Sequence, residues 1–379
     1  MSKFVYLDYN ATTPVLPAIA TAYHESLTPF GNPSSLHQYG QQTKAILEKS
    51  RRSVARGIDA NASQIIFTSS GSEGNNQILQ SLWRRSLQKK RSLHVITSAI
   101  EHSSIRVTLD TLSQFGVNIT VLPVDKHGHV SVDAVRHAIT PETGLISVML
   151  ANNEIGTIQP VSEICEIAHQ HNILVHTDAV QALGKMPIST QNIPVDFMTI
   201  SAHKIYAPKG SAALYIRDDA TIDALIYGGG HERKLRAGTE NISGIVAFSE
   251  SFSYLSGPDE WRRQRGLLDK IVSKIKQQLN CIVVHTDHHS GLSNTLNLGI
   301  DNLDGHALAI NLDLAGIGVS TGSACATGSI EPSPVLAAMG MSPSLNIGSI
   351  RVSVGKHTTE AEGDYFADQY IAIVKRMRS

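Results

Sequence analysis

The chain has 379 residues, 41% of them hydrophobic and 17% charged, with a formal net charge of -1. This is the composition of an ordinary globular protein with room for two domains, or for one large domain and an appendage. A charge balance so near zero offers no global basic field for nucleic acid or an anionic membrane.

The N-terminal stretch Met1-Ser2-Lys3-Phe4-Val5-Tyr6-Leu7-Asp8 meets an acidic residue too early for a secretory signal. No apolar run approaches the roughly 18 residues of a membrane span. Cys165, Cys281 and Cys325 stand far apart, with neither disulfide nor metal-ligand spacing. A reducing, cytoplasmic setting is expected.

In chain order, apolar strands then alternate with amphipathic helices. The strand candidates are 65–67, 94–97, 119–122, 146–150, 173–176, 197–200 and 212–216, and helical patterns lie at 75–83, 104–115, 131–139 and 161–169. Continuous apolar strands separated by helices predict an α/β fold, a mostly parallel sheet covered on both faces. Ligands of such sheets gather at the carboxyl ends of the strands. After about residue 250 the texture changes. A long helix through Leu279, short strands at 282–284, 295–298 and 319–325, and a C-terminal helix from Thr359 predict a smaller α+β domain.

Polar residues cluster just past the apolar strands. Thr68-Ser69-Ser70-Gly71-Ser72-Glu73 feeds a helix start, where unpaired backbone N–H groups and the helix dipole favour a phosphate. The plainer alternative is an N-cap by Ser70 or Ser72. It is not a P-loop, because the Gly-Lys-Ser/Thr ending is missing. His102 follows the next strand and suits ring stacking or proton transfer, or simply a helix start. Asn152-Asn153-Glu154 offers amides to a polar ligand. Asp178, with Gln181 one turn later, needs a cationic or proton-bearing partner if buried. The strand at 197–200 runs into Ser201-Ala202-His203-Lys204. A lysine at a buried strand end is either snorkelling or an amine of lowered pKa suited to a Schiff base. A phosphate cup, a stacking His, a carboxylate for a ring nitrogen and an amine for an aldehyde are together the needs of pyridoxal 5'-phosphate.

These residues also resemble those of the NifS/IscS-type cysteine desulfurases, which are fold-type I pyridoxal-phosphate enzymes. The likeness runs nearly end to end, through Tyr6 to Pro14, Phe30 to His37, Asn152-Asn153-Glu154, His176 to Gln181, Ser201 to Lys204, Arg236 to Asn241 and Ser323-Ala324-Cys325. It implies a large domain with a seven-stranded sheet over 15–255, and a small domain built from 1–14 with 256–379 that carries the catalytic cysteine. By the same resemblance Lys204 holds the cofactor covalently and moves the substrate α-proton. His102 stacks on the ring, Asp178 pairs with its nitrogen and Gln181 with its hydroxyl. Gly71, Ser72, Ser201 and His203 hold the phosphate, with Thr239 supplied by the other subunit of a homodimer. Asn153 and Arg351 take the substrate carboxylate, for which a planar guanidinium is well shaped.

Cys325 lies in Thr321-Gly322-Ser323-Ala324-Cys325-Ala326-Thr327-Gly328-Ser329, a run of small residues that cannot pack a core and favours a mobile loop and an accessible, reactive thiol. The implied reaction has L-cysteine displace Lys204 from the cofactor and Lys204 take the α-proton. The Cys325 thiolate then attacks the substrate sulfur, leaving a persulfide and releasing L-alanine. A persulfide acceptor such as an iron–sulfur scaffold would follow. No resident metal is expected; Cys325 would be the ligand of any iron–sulfur cluster held in transit.

Some positions depart from the family pattern. Ser72 stands for Thr, Ala202 for Gly and Pro334 for an aromatic residue or His, and the chain ends soon after its last helix. A selenocysteine lyase or an aminotransferase would use the Lys204 and Asp178 equipment without Cys325. A nucleotide-binding module is the reading of another class, resting on Gly228-Gly229-Gly230, but that run lacks the strand-to-helix setting such a site needs.

Overall fold

The structure is a computed structural model that describes residues 4–287, 290–321 and 332–378. Strand β1 (Val5–Tyr6) opens the chain, and β2 (Ile65–Thr68), β3 (His94–Ser98), β4 (Asn118–Leu122), β5 (Thr143–Ser147), β6 (Leu174–Asp178), β7 (Phe197–Ser201) and β8 (Ala212–Ile216) follow. The last seven form one sheet in the order β2-β8-β7-β6-β5-β3-β4. Only β8 runs antiparallel to its neighbours. The expected mostly parallel sheet of seven strands is therefore present. Its strands β2, β3, β7 and β8 are buried at every position, as their continuous apolar runs require.

The chain winds outward from β3 to β4, then returns to β5 on the other side of β3 and proceeds to β6 and β7. That reversal leaves a crevice beyond the carboxyl ends of β3 and β5, the place where doubly wound sheets bind ligands.

A second sheet is antiparallel, in the order β12-β13-β10-β9, from β9 (Ile282–Val284), β10 (Thr295–Ile300), β12 (Ser320–Thr321) and β13 (Ser349–Ser353). Strand β11 (Ile317–Gly318) pairs in parallel with β1, so the N-terminal strand joins the C-terminal part of the chain. Val5 and Leu7 share a hydrophobic core with the helices Pro258–Gln278 and Glu360–Arg378. The large sheet has its own cores, one on each side.

Three elements differ from their sequence expectation. The helix expected from Asn75 starts at Gly71, because Ser70 Oγ accepts the Glu73 amide and caps it. The strand expected over 146–150 ends at Ser147. Val148 and Leu150 still bond β6 and Asp178, but the Met149 amide donates to the carboxylate of Glu101 in place of a strand neighbour. The stretch expected as a strand at 319–325 contains β12 at Ser320–Thr321, and 322–325 lie outside the described residues.

One buried ion pair fixes the entrance of β2. The Arg51 guanidinium meets Glu232 bidentately, at 2.6 and 2.7 Å, and also donates to Ile65 O, while the Phe67 amide donates to the same carboxylate. Arg51 and Glu232 are 3% and 5% exposed. Removing one partner strands the other charge in a dry site. Glu232→Gln is expected to lower stability by about 3–5 kcal/mol, read from equilibrium unfolding in urea. A loss under about 1 kcal/mol would show that solvent reaches the pair.

Candidate active site

The crevice contains a pocket of about 490 Å³, a size suited to a cofactor with a small substrate. Gly71, Ser72, His102, Asn153, Asp178, Gln181, Ser201, His203, Lys204 and Arg351 all line it. Residues far apart in sequence thus converge on one cavity. Thr239 is not among them and lies exposed on the stretch after Arg236. Cys325 lies outside the described residues; Pro332 and Pro334 border the pocket nearby in sequence. Pro334 is the first residue of the helix Pro334–Ala338, where a missing N–H costs nothing.

One wall is the helix Gly71–Gln88, whose first-turn amides have no intrahelical partner. A Cβ at Gly71 would come within 2.9 Å of Val180 Cγ2, so the cup has no room for a side chain there. Arg236 ties down this turn through Glu73, at 2.9 Å. Ser201, at the end of β7, is 2% exposed. His203 Nδ1 lies 3.1 Å from Thr12 Oγ1. Burial first, then the cations Lys204, Lys209 and Lys185, push its imidazole down to about 4, so it is neutral at pH 7.

Lys204 closes a short 3₁₀ turn after β7. Its Nζ donates to the carbonyls of Asn10 at 2.6 Å and Ala11 at 2.8 Å. Asn10, 1% exposed, is a junction. Its backbone carbonyl also accepts from Gln181 Nε2, its Nδ2 donates to Thr295 Oγ1 and Asn153 O, and its amide donates to Ser353 Oγ.

The Asp178 carboxylate ends β6 and is held from two sides. Asn75 Nδ2 donates to Oδ2 at 2.7 Å and the Val180 amide to Oδ1 at 3.0 Å. Asn75 Nδ2 also reaches Ser104 Oγ, and Ser104 lies against His102 Nδ1 through both its amide and its hydroxyl. A single chain of polar contacts therefore links the Asp178 carboxylate to the His102 imidazole. Because the Ser104 amide donates to Nδ1, the hydrogen-bond pattern assigns the ring proton to Nε2.

Arg351, on β13, is 2% exposed. Its guanidinium donates to Asp8 Oδ1 at 2.6 Å and to Asn153 O at 3.0 Å, while its Nε has no hydrogen-bond partner. Two further carboxyls line the pocket that the sequence reading did not assign, Glu101 and Glu154. Burial drives Glu101 up to about 8, against the hydrogen bonds from Ser98 and the Met149 amide. Burial likewise raises Glu154 to about 7, against Ser333, Arg351, Arg106 and His102. Asn10, Asn75, Glu101 and Glu154 carry no motif signal of their own. Their neighbours in sequence do, since Asn10 and Glu154 sit inside quoted motifs.

Chemically, the pocket offers a helix N-terminus and small donors for an anion, a fixed carboxylate for a cationic nitrogen, an amine for a carbonyl carbon and a guanidinium for a second carboxylate. Among the described residues there is no cluster of three or more metal-ligating side chains, and no helix is long and apolar enough to cross a membrane.

This fold and pocket define a class. Residues 5–366 match the model of the aminotransferase class-V family, and the chain belongs to it. Within the family its relatives are cysteine desulfurases. The cysteine desulfurase IscS of Dictyoglomus turgidum is 39% identical over 100% of this chain and 96% of its own length. A NifS-like protein of known structure superposes with a TM-score of 0.92 at 36% identity, covering 98% of this chain and 100% of its own. The structure of SspA in complex with cysteine matches with a TM-score of 0.84 at 31% identity, over 94% and 100%. At that likeness over its full length, the chain belongs with the cysteine desulfurases.

The unusual state of Glu101 has a measurable consequence. A carboxyl that binds its proton more tightly folded than unfolded adds stability below its unfolded value, near 4.5, and that contribution is lost as pH rises through about 8. Glu101→Gln is expected to flatten the fall in thermal stability between pH 5 and pH 8, and to be more stable than the parent above that range. Parallel slopes for the two proteins across a pH series of melting curves would contradict it.

Proposed function

We propose that this desulfurase acts on L-cysteine with pyridoxal 5'-phosphate in the 490 Å³ pocket, delivering sulfur to Cys325 as a persulfide. The observation that carries this is the convergence, on one cavity, of the Lys204 amine, the doubly held Asp178 carboxylate and the capped helix start at Gly71. The donor set fits the cofactor. Gly71, Ser72, Ser201 and His203 would hold the phosphate, Asp178 the ring nitrogen, Gln181 the ring hydroxyl and His102 the ring face. When bound, the cofactor supplies an electron sink for the substrate α-carbon.

The chain's residues then divide the work. Arg351, with Asn153 beside it, orients the substrate carboxylate; its guanidinium is already aimed by Asp8. The Lys204 amine takes the substrate α-proton, and His102 holds a proton at Nε2 for transfer within the pocket. The Cys325 thiolate attacks the substrate sulfur. A sulfur–sulfur bond forms and the carbon–sulfur bond breaks, with its electron pair left on the substrate β-carbon, which gains a proton to become a methyl group; Lys204 then returns a proton to the α-carbon, giving L-alanine. The persulfide then passes to an acceptor protein, of which an iron–sulfur scaffold is the favoured kind.

A homodimer suits the surface. Phe30, Leu36 and Tyr39 are 77%, 92% and 58% exposed, and the rings of Phe30 and Tyr39 lie 5.1 Å apart. An apolar patch of that kind favours a protein partner, and a second copy would receive Thr239 from the first. On this reading the chain divides into 15–255, which holds the cofactor, and 1–14 with 256–379, which brings Arg351 and Cys325. A reducing cytoplasm suits its free thiols.

Purified protein incubated with L-cysteine and a reductant is expected to release alanine and sulfide in equal amounts. Cys325→Ser is expected to lose sulfide release while keeping the cofactor's visible absorbance, and Lys204→Ala to lose both activity and that band. Sulfide release at the parental rate by Cys325→Ser would instead favour a lyase of the selenocysteine lyase kind, and conversion of the amino acid to a 2-oxo acid with its sulfur retained would favour an aminotransferase.

A further inference from the structure

The chemistry above leaves one half-buried amine unused. Lys185 lies four residues after Gln181, at the end of a turn, and its Nζ donates to Gln181 Oε1 at 2.5 Å and to Asn10 Oδ1 at 2.9 Å. Both acceptors are neutral amide oxygens, an odd setting for an ammonium group out of water. Asn10 is shared between two amines: its side-chain oxygen takes Lys185 and its backbone carbonyl takes Lys204. Lys185 and Lys204 also line one small cavity of about 20 Å³, space for a single water molecule.

We propose that Lys185 is a positioning residue for Lys204 and Gln181, holding both through the amides of Asn10 and Gln181. With Oε1 drawn to Lys185, Gln181 must turn Nε2 toward the Asn10 carbonyl, where it is found at 2.8 Å. With its side-chain oxygen held by Lys185 and Asn294 Nδ2, Asn10 cannot rotate, and the carbonyl that receives Lys204 stays in place. A charge effect runs the same way. Burial first, then Lys204 and Arg351, hold the Lys185 amine well below its ordinary range. The charged or titratable groups around it are Lys204, Arg351 and the neutral imidazole of His203, with the phenols of Tyr9 and Tyr206 across the small cavity, both raised by burial and so neutral. Two amines sharing one residue disfavour each other's protons, and Lys204 is the first charge that lowers Lys185.

This inference rests on the cofactor reading above, and the test separates the two. Wild type, Lys185→Met and Lys185→Arg are purified as holoenzymes and titrated by absorbance against pH, with kcat and KM for L-cysteine measured alongside. Wild type is expected to show the visible band and alanine formation; absence of both would overturn the cofactor reading itself. Given that band, Lys185→Met is expected to move the midpoint of its pH titration upward by about one unit. It should also lower kcat at least about tenfold, with KM little changed. Lys185→Arg, which keeps charge and donors, is expected to restore the midpoint. Should Lys185→Met not fold, Lys185→Gln supplies the same uncharged comparison. An unchanged midpoint and kcat in a folded, cofactor-loaded Met or Gln variant would overturn the role given to Lys185.

Discussion

The site depends on two hydrogen bonds from the Lys204 amine to the backbone carbonyls of Asn10 and Ala11. They bring together residues more than half the chain apart and hold the amine at the wall of the pocket. A carboxylate in the same position would stabilise the ammonium form and hold the proton. Carbonyls give direction with much less charge. The surrounding contacts serve the same end: Thr13 and its amide hold His203 O, and the Tyr6 hydroxyl spans from Asp8 O to Thr12 O, keeping the N-terminal turn against the end of β7.

The pocket also holds several acids in place. Asp178 receives an amide from each side, which fixes the direction of its carboxyl group. Glu101 and Glu154 are held too, by the Ser98 hydroxyl and Met149 amide and by the Ser333 hydroxyl, yet burial raises their carboxyls to about 8 and about 7. The cavity therefore keeps two of its carboxyls inclined to hold their protons, as burial of a carboxyl out of water dictates.

Much of this was legible in the sequence, for identifiable reasons. β7 and β8 announce themselves by unbroken apolar runs, and the polar residues placed just after β2, β3, β6 and β7 fall where parallel sheets gather ligands. What was not legible depends on partners distant in sequence. Asn75 looks like one more helix residue until its amide is seen against Asp178. Asn10 carries no chemistry alone and matters through the seven groups it touches. β5 stops at Ser147 because a glutamate takes the Met149 amide, an event that strand propensity cannot express. The hydroxyl-rich turn before Gly71 does not say which hydroxyl caps the helix; only the contact between Ser70 and the Glu73 amide shows it.

The pairing of β1 with β11 governs the order in which the molecule can be finished. The N-terminal strand leaves the ribosome first, yet its hydrogen-bond partner is about three hundred residues behind it. Until β10 and β13 have also emerged, Asn10 lacks Thr295 and Ser353, and the pocket lacks Arg351. Contacts of such long sequence separation form late, because the loop must close before they repay it. A nascent chain can thus complete its central sheet while the strand that carries Arg351 is still unsynthesised, so one wall of the pocket is the last part of the molecule to be built.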